Sequence, residues 1–561
     1  MAERYDHQDA DWPVRPWIMA AVGAIGGLIV HLLTDNYGYS NPIPVWKQAA
    51  TSFTVIATVS FLLTVELRRW TWSILFALGW GAVIALIGWF TAQYNHAGDI
   101  FEFPFFSGIL AVLIAAPLFQ TVRDERAWRF PYARLHRHAW IDAVIGAASF
   151  VFTGITFLLA WLIAGLFDVI GIDAIKDLLK EEWFGWMLAG LAFGGAIGIL
   201  RERDALVATL QKLAMVILSV LAPVLAVALA AFLLSLPFTG LKGLWESDIP
   251  ATPMLLLSGA GAILLANAVI GDGRDDGSPN PWLRRAALLL VVCVLPLAFF
   301  AALSMGQRIG QYGWTPERIW GAIAVGIALA YGGAAWWAVF KGRQDFDEPL
   351  RPLQTGLAIG LCGLALFLAL PILDFGAISA RSQLARLESG KVKAEEFDWT
   401  AMAFDFGKAG RNHLARIAKS GSTGQRELAR AALASKSRYA LGRETESAAQ
   451  QLRLDQYLRV LSPDIVLTDE LKAEVSGYEG CNDKPCALIR LDAGRLVLVH
   501  SPYGQVQTKI IDLSALTRMQ QPAPAEPTKP VVDLGRASIE LQPVERRQVF
   551  VDGKPVGNAI E

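Results

Sequence analysis

Residues 213–236 read LAMVILSVLAPVLAVALAAFLLSL, a stretch without a single charged side chain. A run of about eighteen or more such residues can cross a hydrocarbon core about 30 Å thick. Comparable runs recur as far as residue 372, in a chain of 561 residues that is 54% hydrophobic with a mean hydropathy of +0.39. This grouping predicts an α-helical integral membrane protein, because a soluble protein of this length would divide into domains with polar surfaces.

The apolar runs predict about 11 transmembrane helices. Tryptophan residues gather near the ends of the runs, as in an interfacial aromatic belt. The expected spans are Trp17–Leu33, Val45–Val65, Trp72–Ala92, Phe103–Val122, Ile141–Phe167, Trp183–Leu200, Leu213–Leu236, Pro253–Ile270, Ala286–Ser304, Ile319–Phe340 and Thr355–Ile372.

Lysine and arginine provide a second test of the spans, because basic residues are enriched in cytoplasmic loops. The N-terminus and the loops after the second, fourth, sixth, eighth and tenth spans are the basic ones, whereas the intervening loops hold few basic residues. The N-terminus is therefore predicted inside and, with an odd number of spans, the C-terminus outside. We expect a protein of the bacterial inner membrane with its C-terminal domain in the periplasm.

The expected domain organisation follows from these spans and from a change of character after Pro371. Residues 1–16 form a cytoplasmic N-terminus, and residues 17–373 form the transmembrane domain. Residues 374–475 form a helical extracytoplasmic segment, in which Trp399–Lys419 and Gly424–Ala434 read as amphipathic helices. Residues 476–561 form a small β-rich domain, so the C-terminal part is mixed α/β, with strands predicted at Ala487–Leu491, Arg495–His500, Val506–Ile511, Ser538–Leu541 and Gln548–Val551.

The C-terminal domain holds a close pair of cysteines in the segment CNDKPC, at Cys481 and Cys486. In an oxidising compartment such a pair is typical of a disulfide that closes a tight loop. A metal site would need further ligands, for which only His500 is available nearby. The disulfide is therefore preferred, and no metal site is predicted.

Several stretches resemble an uncharacterised multi-pass bacterial inner-membrane family, the domain of unknown function numbered 4153. They are RIGQYGWTPERIW (308–320), LANAVIGDG (265–273) and PILDFGAISARSQLARLESGKV (371–392), the last continuing into FDWTAMAFDFGKAGRNHLARIA (397–418). The resemblance implies the membrane architecture. It implies no activity, because the family has none assigned.

The loop that carries the most specific of these stretches also holds candidate functional residues at the outer face. Thr315 can cap a helix that starts at Pro316. Arg318 lies on the outer side, against the positive-inside trend, and could pair with Asp374 or bind an anionic group. The alternative is a structural cap and interfacial anchor, which we favour.

A second outer loop, YNHAGDIFEF, brings together His96, Asp99 and Glu102. Their side chains are of types that ligate metals or perform acid–base chemistry. Ordinary loop polarity explains them equally well and is preferred.

The basic loop after the fourth span could contact anionic lipid headgroups in the inner leaflet. Its arginines are interleaved with Trp128, Phe130 and Tyr132. The alternative is that these arginines only mark the cytoplasmic side of the membrane, and the two interpretations are compatible. The arginines are Arg123, Arg126, Arg129, Arg134 and Arg137.

Three further features have structural interpretations. His31, near the outer end of the first span, is expected to pack. Asn267, inside the eighth span, could hydrogen-bond a neighbouring helix. Residues 168–182 predict either an amphipathic helix on the outer interface or an extension of a membrane helix.

The chain lacks a Walker loop, a His-Glu-x-x-His motif and a Gly-x-Ser-x-Gly motif. We therefore expect a non-enzymatic scaffold, sensor or partner-binding protein of the cell envelope. Its expected partners are the lipid bilayer and an envelope protein, with no cofactor and, at a net charge of −1, no nucleic acid. The alternatives are a transporter of a small solute or lipid, and a membrane enzyme acting on a lipid or glycan at the outer face.

Overall fold

A computed structural model describes most of the chain. The described residues are 12–35, 43–94, 102–240, 250–273, 277–394, 396–435, 438, 441, 457–476, 485–500, 507–513, 547–551 and 554–560. By internal contacts the chain forms two compact units. The membrane unit comprises residues 1–383 and 406–409, and the C-terminal unit comprises residues 384–405 and 410–561.

Long helices build the membrane unit, because its apolar runs leave the backbone no hydrogen-bond partners in lipid other than its own. Two single 3-10 turns also occur, at Leu67–Arg69 and Arg343–Asp345. The helices are α1 (Arg15–Thr34), α2 (Val45–Thr64), α3 (Trp70–Tyr94), α4 (Phe103–Glu125), α5 (Tyr132–Val169), α6 (Ala174–Lys180), α7 (Glu182–Arg201), α8 (Asp204–Thr239), α9 (Ala251–Ile270), α10 (Pro281–Tyr312), α11 (Pro316–Gly342), α12 (Asp347–Ala369) and α13 (Phe375–Glu388), the last of which continues into the C-terminal unit.

Among the described residues, ten helices are long and apolar enough to cross a membrane. They coincide with ten of the eleven predicted spans. The exception is α2, which has the required length but carries Lys47, Gln48 and several hydroxyl side chains. Its crossing remains a prediction.

The loop at residues 168–182 contains a separate short helix. The long α5 ends at Val169, and Gly171 has φ +79°, a conformation that glycine adopts without strain. The alternative of one extended membrane helix is therefore wrong. The helix that follows, α6, has the predicted amphipathic pattern, and its position on the interface remains a prediction.

The tightest helix packing in the membrane unit is between α1 and α7, where glycines face one another. A Cβ atom built at Gly23 would lie 2.0 Å from the carbonyl oxygen of Gly190, and one built at Gly190 would lie 2.0 Å from that of Gly23. One turn further along α1, a Cβ at Gly27 would lie 2.1 Å from the Trp186 carbonyl oxygen. The backbones of the two helices are thus in direct contact, as small residues allow in membrane helix pairs.

Helices α8 to α12 share an apolar core. Its buried members include Leu290, Val294 and Leu297 on α10, together with Ala262 and Val269 on α9. The α5 helix differs from these helices, since only 6% of its apolar stretch is buried inside the protein. Its apolar surface is therefore suited to lipid.

The C-terminal unit is mixed α/β, as predicted. Its remaining helices are α14 (Trp399–Phe404), α15 (Gly407–Ser420), α16 (Thr423–Ala434) and α17 (Asp469–Ser476). The single helix expected over Trp399–Lys419 is wrong, because the chain breaks at Asp405 and Gly407 adopts φ +57°. Ser422 and Gln425 form a reciprocal capping box at the start of α16.

The strands form a four-stranded sheet and a separate two-stranded one. In the first sheet β1 (Leu458–Val460) pairs in parallel with β2 (Cys486–Arg490), which pairs antiparallel with β3 (Arg495–His500), which in turn pairs antiparallel with β4 (Gln507–Asp512). The second sheet pairs β5 (Arg547–Val551) with β6 (Lys554–Ile560). The predicted strands at 487–491, 495–500, 506–511 and 548–551 are confirmed within one residue. The one at Ser538–Leu541 lies outside the described residues.

Candidate functional site

The α10–α11 connection is built around Thr315 and Arg318. The Thr315 hydroxyl accepts a hydrogen bond from the Arg318 backbone N–H, so Thr315 is the N-cap of α11. The Arg318 guanidinium donates to the carbonyl oxygens of Tyr312 (3.1 Å) and Gly313 (2.8 Å) at the end of α10, and lies 5.4 Å from the centre of the Tyr312 ring. These contacts stabilise the turn by satisfying carbonyls that the helix leaves exposed.

Asp374 has a similar local role at the start of α13. Its carboxylate accepts a hydrogen bond from the Ala377 backbone N–H at 2.8 Å. Two residues that the sequence did not single out join α13 to the α10–α11 connection. The Ser382 hydroxyl accepts from the Trp314 N–H at 3.1 Å, and the Gln383 amide donates to the carbonyl oxygens of Tyr312 and Trp314. The described contacts of Arg318 and Asp374 thus stabilise helix ends and the turn between α10 and α11.

The other candidates, which the sequence predicts at the outer face, are only partly within the described residues. His96 and Asp99 lie outside the described residues. Glu102 is the exposed N-cap residue of α4, and its carbonyl oxygen accepts from the Phe106 N–H. Of the cysteine pair, Cys486 is buried at the start of β2. Cys481 lies outside the described residues, so the disulfide stays a prediction.

At the opposite end of the membrane unit, which we call the basic end, Arg123 is buried among protein partners. Its guanidinium donates to the Thr64 carbonyl oxygen (2.6 Å) and pairs with Glu66 and with Asp124 (3.0 Å). Its own carbonyl oxygen accepts from Arg69. Arg123 therefore ties α4 to the end of α2 and faces away from the surface.

The last turn of α2 collects more donors at the basic end. Arg201, at the end of α7, donates to the Val65 carbonyl oxygen at 2.9 Å, and Arg15 donates to the same oxygen and to the Arg201 carbonyl. The Gln120 amide bridges the Leu63 carbonyl to both carboxylate oxygens of Asp142 on α5. Cations near a helix C-terminus compensate its exposed carbonyls and its dipole.

The remaining arginines of the basic loop differ in exposure. Arg126 and Arg129 are exposed beside Trp128, whose side chain is 87% exposed. Arg134 pairs with Glu125 at 2.9 Å, and Arg137 lies 3.6 Å from Asp272. The headgroup contact remains a prediction, and Arg126 and Arg129 are the arginines best placed for it.

A second polar cluster at the basic end joins α9, α10 and α12. Buried Asp347 pairs with Arg284 (3.0 Å) and Arg351 (2.8 Å), and Arg351 also donates to the Ile270 carbonyl oxygen. Nearby, the Gln354 amide donates to the Asn267 side-chain oxygen at 2.8 Å. The predicted interhelical hydrogen bond of Asn267 is confirmed.

The apolar core shared by α8 to α12 contains a small cavity between α9, α10, α11 and α12. It measures about 10 Å³ and is lined by apolar side chains together with Tyr331 and Gln354. Such a volume has room for about one water molecule. It offers no space for a solute.

The C-terminal unit contains a larger groove of about 280 Å³. Its apolar lining comes from Leu384 and Leu387 on α13 and from Ile417 on α15, all three of them buried. The polar lining consists of Glu388, His413, Arg416, Ser420 and Gln425. The sequence does not predict this groove, because its residues come from different helices and the sequence pattern does not specify how those helices pack.

Arg416 is the cation of this groove, which we call the α13–α15 groove. Its guanidinium contacts the His413 ring nitrogen. Within the described part of the chain, Arg416 has no carboxylate partner. A guanidinium placed in this way can bind an anionic group through charge-assisted hydrogen bonds.

Comparison with known proteins identifies a family. The family model described as "Domain of unknown function (DUF4153)" matches residues 26–406. No curated protein and no solved structure matches the chain.

Proposed function

This chain belongs to the DUF4153 family, whose description names no activity. From the sites of the structure we propose that the chain is a partner-binding protein anchored in the membrane. In this proposal the membrane unit is the anchor, and the α13–α15 groove of the C-terminal unit holds a segment of a protein partner. The protein acts by binding and not by catalysis.

The composition of the α13–α15 groove carries the proposal. A site for a peptide combines a buried apolar surface, which provides affinity, with a few polar groups that fix orientation. Here Leu384, Leu387 and Ile417 provide the apolar surface, and Arg416 and Gln425 provide the polar groups. A volume of about 280 Å³ suits one or two side chains.

The chemistry of the lining indicates what the partner presents. An aliphatic side chain would contact Leu387 and Ile417. An adjacent aspartate or glutamate would pair with Arg416, whose described contact is with a histidine ring. We therefore infer a peptide segment with an aliphatic residue next to an acidic one.

Peptide display on the full-length protein in lipid nanodiscs tests this function. The expected enriched sequences carry Leu or Ile beside Asp or Glu. Arg416→Gln should weaken their binding by about tenfold or more, since a hydrogen bond to a charged group contributes about 1.5–3 kcal/mol. Arg430→Gln, at an exposed position on α16, is the matched control and should bind as the wild type does. Enriched peptides that bind Arg416→Gln equally well would exclude this site.

We also propose that the C-terminal unit lies in the periplasm of a bacterium, with the N-terminus inside. The support is that Arg15, Arg69, Arg123 and Arg201 meet at one end of the membrane unit, as expected for the cytoplasmic side. A phosphatase that is active only outside the cytoplasm, fused after Glu561, should be active. An inactive phosphatase fusion, together with fluorescence from a cytoplasmic reporter fused at the same site, would show the opposite orientation.

A further inference from the structure

Three metal-ligating side chains converge where α1 ends and α7 begins. His31 lies in the last turn of α1, Asp35 is the C-cap residue of that helix, and Glu182 is the first residue of α7. One ligand atom from each lies within 4.8 Å of the others. Since His31 and Glu182 are far apart in sequence, only the tertiary packing brings these groups together.

The glycine contact between α1 and α7 accounts for this convergence. Gly27 lies one turn before His31, Trp186 lies one turn after Glu182, and the two backbones touch at this pair. Asp35 is held in turn by its backbone N–H, which donates to the His31 carbonyl oxygen at 2.7 Å. The three ligands therefore stand on backbones whose separation is fixed, which preorganises the cluster.

The imidazole of His31 offers a donor atom to the cluster. The Nδ1 atom of His31 is buried and has no hydrogen-bond partner among the described residues. A buried imidazole nitrogen without a partner is costly, unless something outside the protein chain binds it. Glu182 is exposed and reaches the same point from the other helix.

We propose that His31, Asp35 and Glu182 bind a divalent transition-metal ion, with Zn²⁺ as its representative. One imidazole nitrogen and two carboxylate oxygens suit Zn²⁺ or Mn²⁺, whereas Ca²⁺ and Mg²⁺ prefer oxygen ligands alone. Two carboxylates balance the charge of the ion, and the C-terminus of α1 adds a favourable dipole. Three protein ligands leave a coordination position open for water or for a group of a partner.

Such an ion would join the ends of α1 and α7 that lie away from the basic end. It would cross-link two helices whose connecting chain runs through four other long helices. Metal binding should therefore stabilise the folded membrane unit, by an amount that grows with the logarithm of the free Zn²⁺ concentration relative to the dissociation constant. This effect is independent of the α13–α15 groove.

The test is metal binding by the full-length protein, purified with a tag that contains no histidine and stripped with a chelator. Zn²⁺ titration followed by elemental analysis should show one more bound ion in the wild type than in His31→Ala. Glu182→Gln should weaken binding at this site by more than about tenfold, because even loss of an outer-shell partner costs 10–100-fold. His138→Ala, at the basic end, where the ring contacts Asp124, is the control and should retain the ion.

A second readout separates ligand loss from misfolding. Co²⁺ in place of Zn²⁺ should give visible absorption that Asp35→Asn and Glu182→Gln reduce. Both substitutions preserve side-chain size, and Glu182 is exposed, so the variants should elute as folded protein. Equal Zn²⁺ stoichiometry and affinity in the wild type, His31→Ala and Glu182→Gln would overturn the proposal, as would a raised unfolding temperature with Zn²⁺ in all three.

Discussion

The Arg123 guanidinium donates to the carbonyl oxygen of Thr64 over 2.6 Å, so the end of α4 satisfies the last turn of α2. Thr64 has no exposed surface, and the Arg123 side chain is 3% exposed. A charge is therefore placed inside the protein, where Glu66 and Asp124 neutralise it. This arrangement determines how substitution of the basic-loop arginines should act.

Arg123→Gln should destabilise the protein by about 1–3 kcal/mol, because it leaves a buried carbonyl and a partly buried Glu66 without their partner. Thermal unfolding in detergent measures the change. Arg129→Gln, in the same loop but exposed, should have little effect. Equal unfolding temperatures for the two variants would contradict the buried role of Arg123.

Gly190→Ala should destabilise the α1–α7 pair, since its new Cβ would meet the Gly23 carbonyl oxygen at 2.0 Å. Overpacking of this kind typically costs about 1–3 kcal/mol. Gly185→Ala, in the same helix, is the matched control, because a Cβ there meets nothing within 4 Å. Unfolding temperatures and expression levels of the two variants should separate clearly. If Gly190→Ala matches the control, the two backbones are not in contact.

The hydrogen bond from Gln354 to Asn267 should show as coupling in a double-mutant cycle. Substitution of each residue by leucine, alone and together, should give a coupling free energy of about 0.5–1.5 kcal/mol, the range for hydrogen bonds between membrane helices. Chemical unfolding of the four proteins in mixed micelles provides the measurement. Strict additivity would indicate that the two side chains do not interact.

Asp492, in the turn between β2 and β3, should make the C-terminal sheet sensitive to acid. The backbone N–H of Gly494, followed by the Arg495 side chain, holds the pKa of this carboxyl below its usual value. Its stabilising contribution is therefore present above the unfolded pKa of about 3.9 and is lost as the pH falls through the folded pKa.

Asp492→Asn should accordingly lower the stability of the sheet near neutral pH, and the difference from the wild type should vanish in acid. Circular dichroism of the full chain, recorded during unfolding at a series of pH values, can measure this difference in stability. Glu427→Gln, an exposed carboxyl on α16, serves as the control. A difference that stays constant down to strongly acidic pH would refute the titration of Asp492.

Periodicity and hydropathy predicted the membrane helices and most strands, because these properties are local. The ends of α5 and α14 were harder, since the glycines at 171 and 407 interrupt the chain without interrupting its apolar pattern. The sites were harder still. The alternation of arginines indicated a common side for Arg123 and Arg201, but only packing shows that Arg123 is buried. Likewise, a single histidine near an interface favours a packing role for His31, and nothing in the sequence links it to Glu182.

The contact of Gly23 with Gly190 also has a consequence for biosynthesis. Membrane helices leave the insertion machinery in chain order, so α1 enters the bilayer well before α7 has been translated. During that interval the glycines of α1 that contact α7 lack their native partner. The α1–α7 pair is thus completed late, and chains that stop before residue 182 should be removed rapidly from the cell.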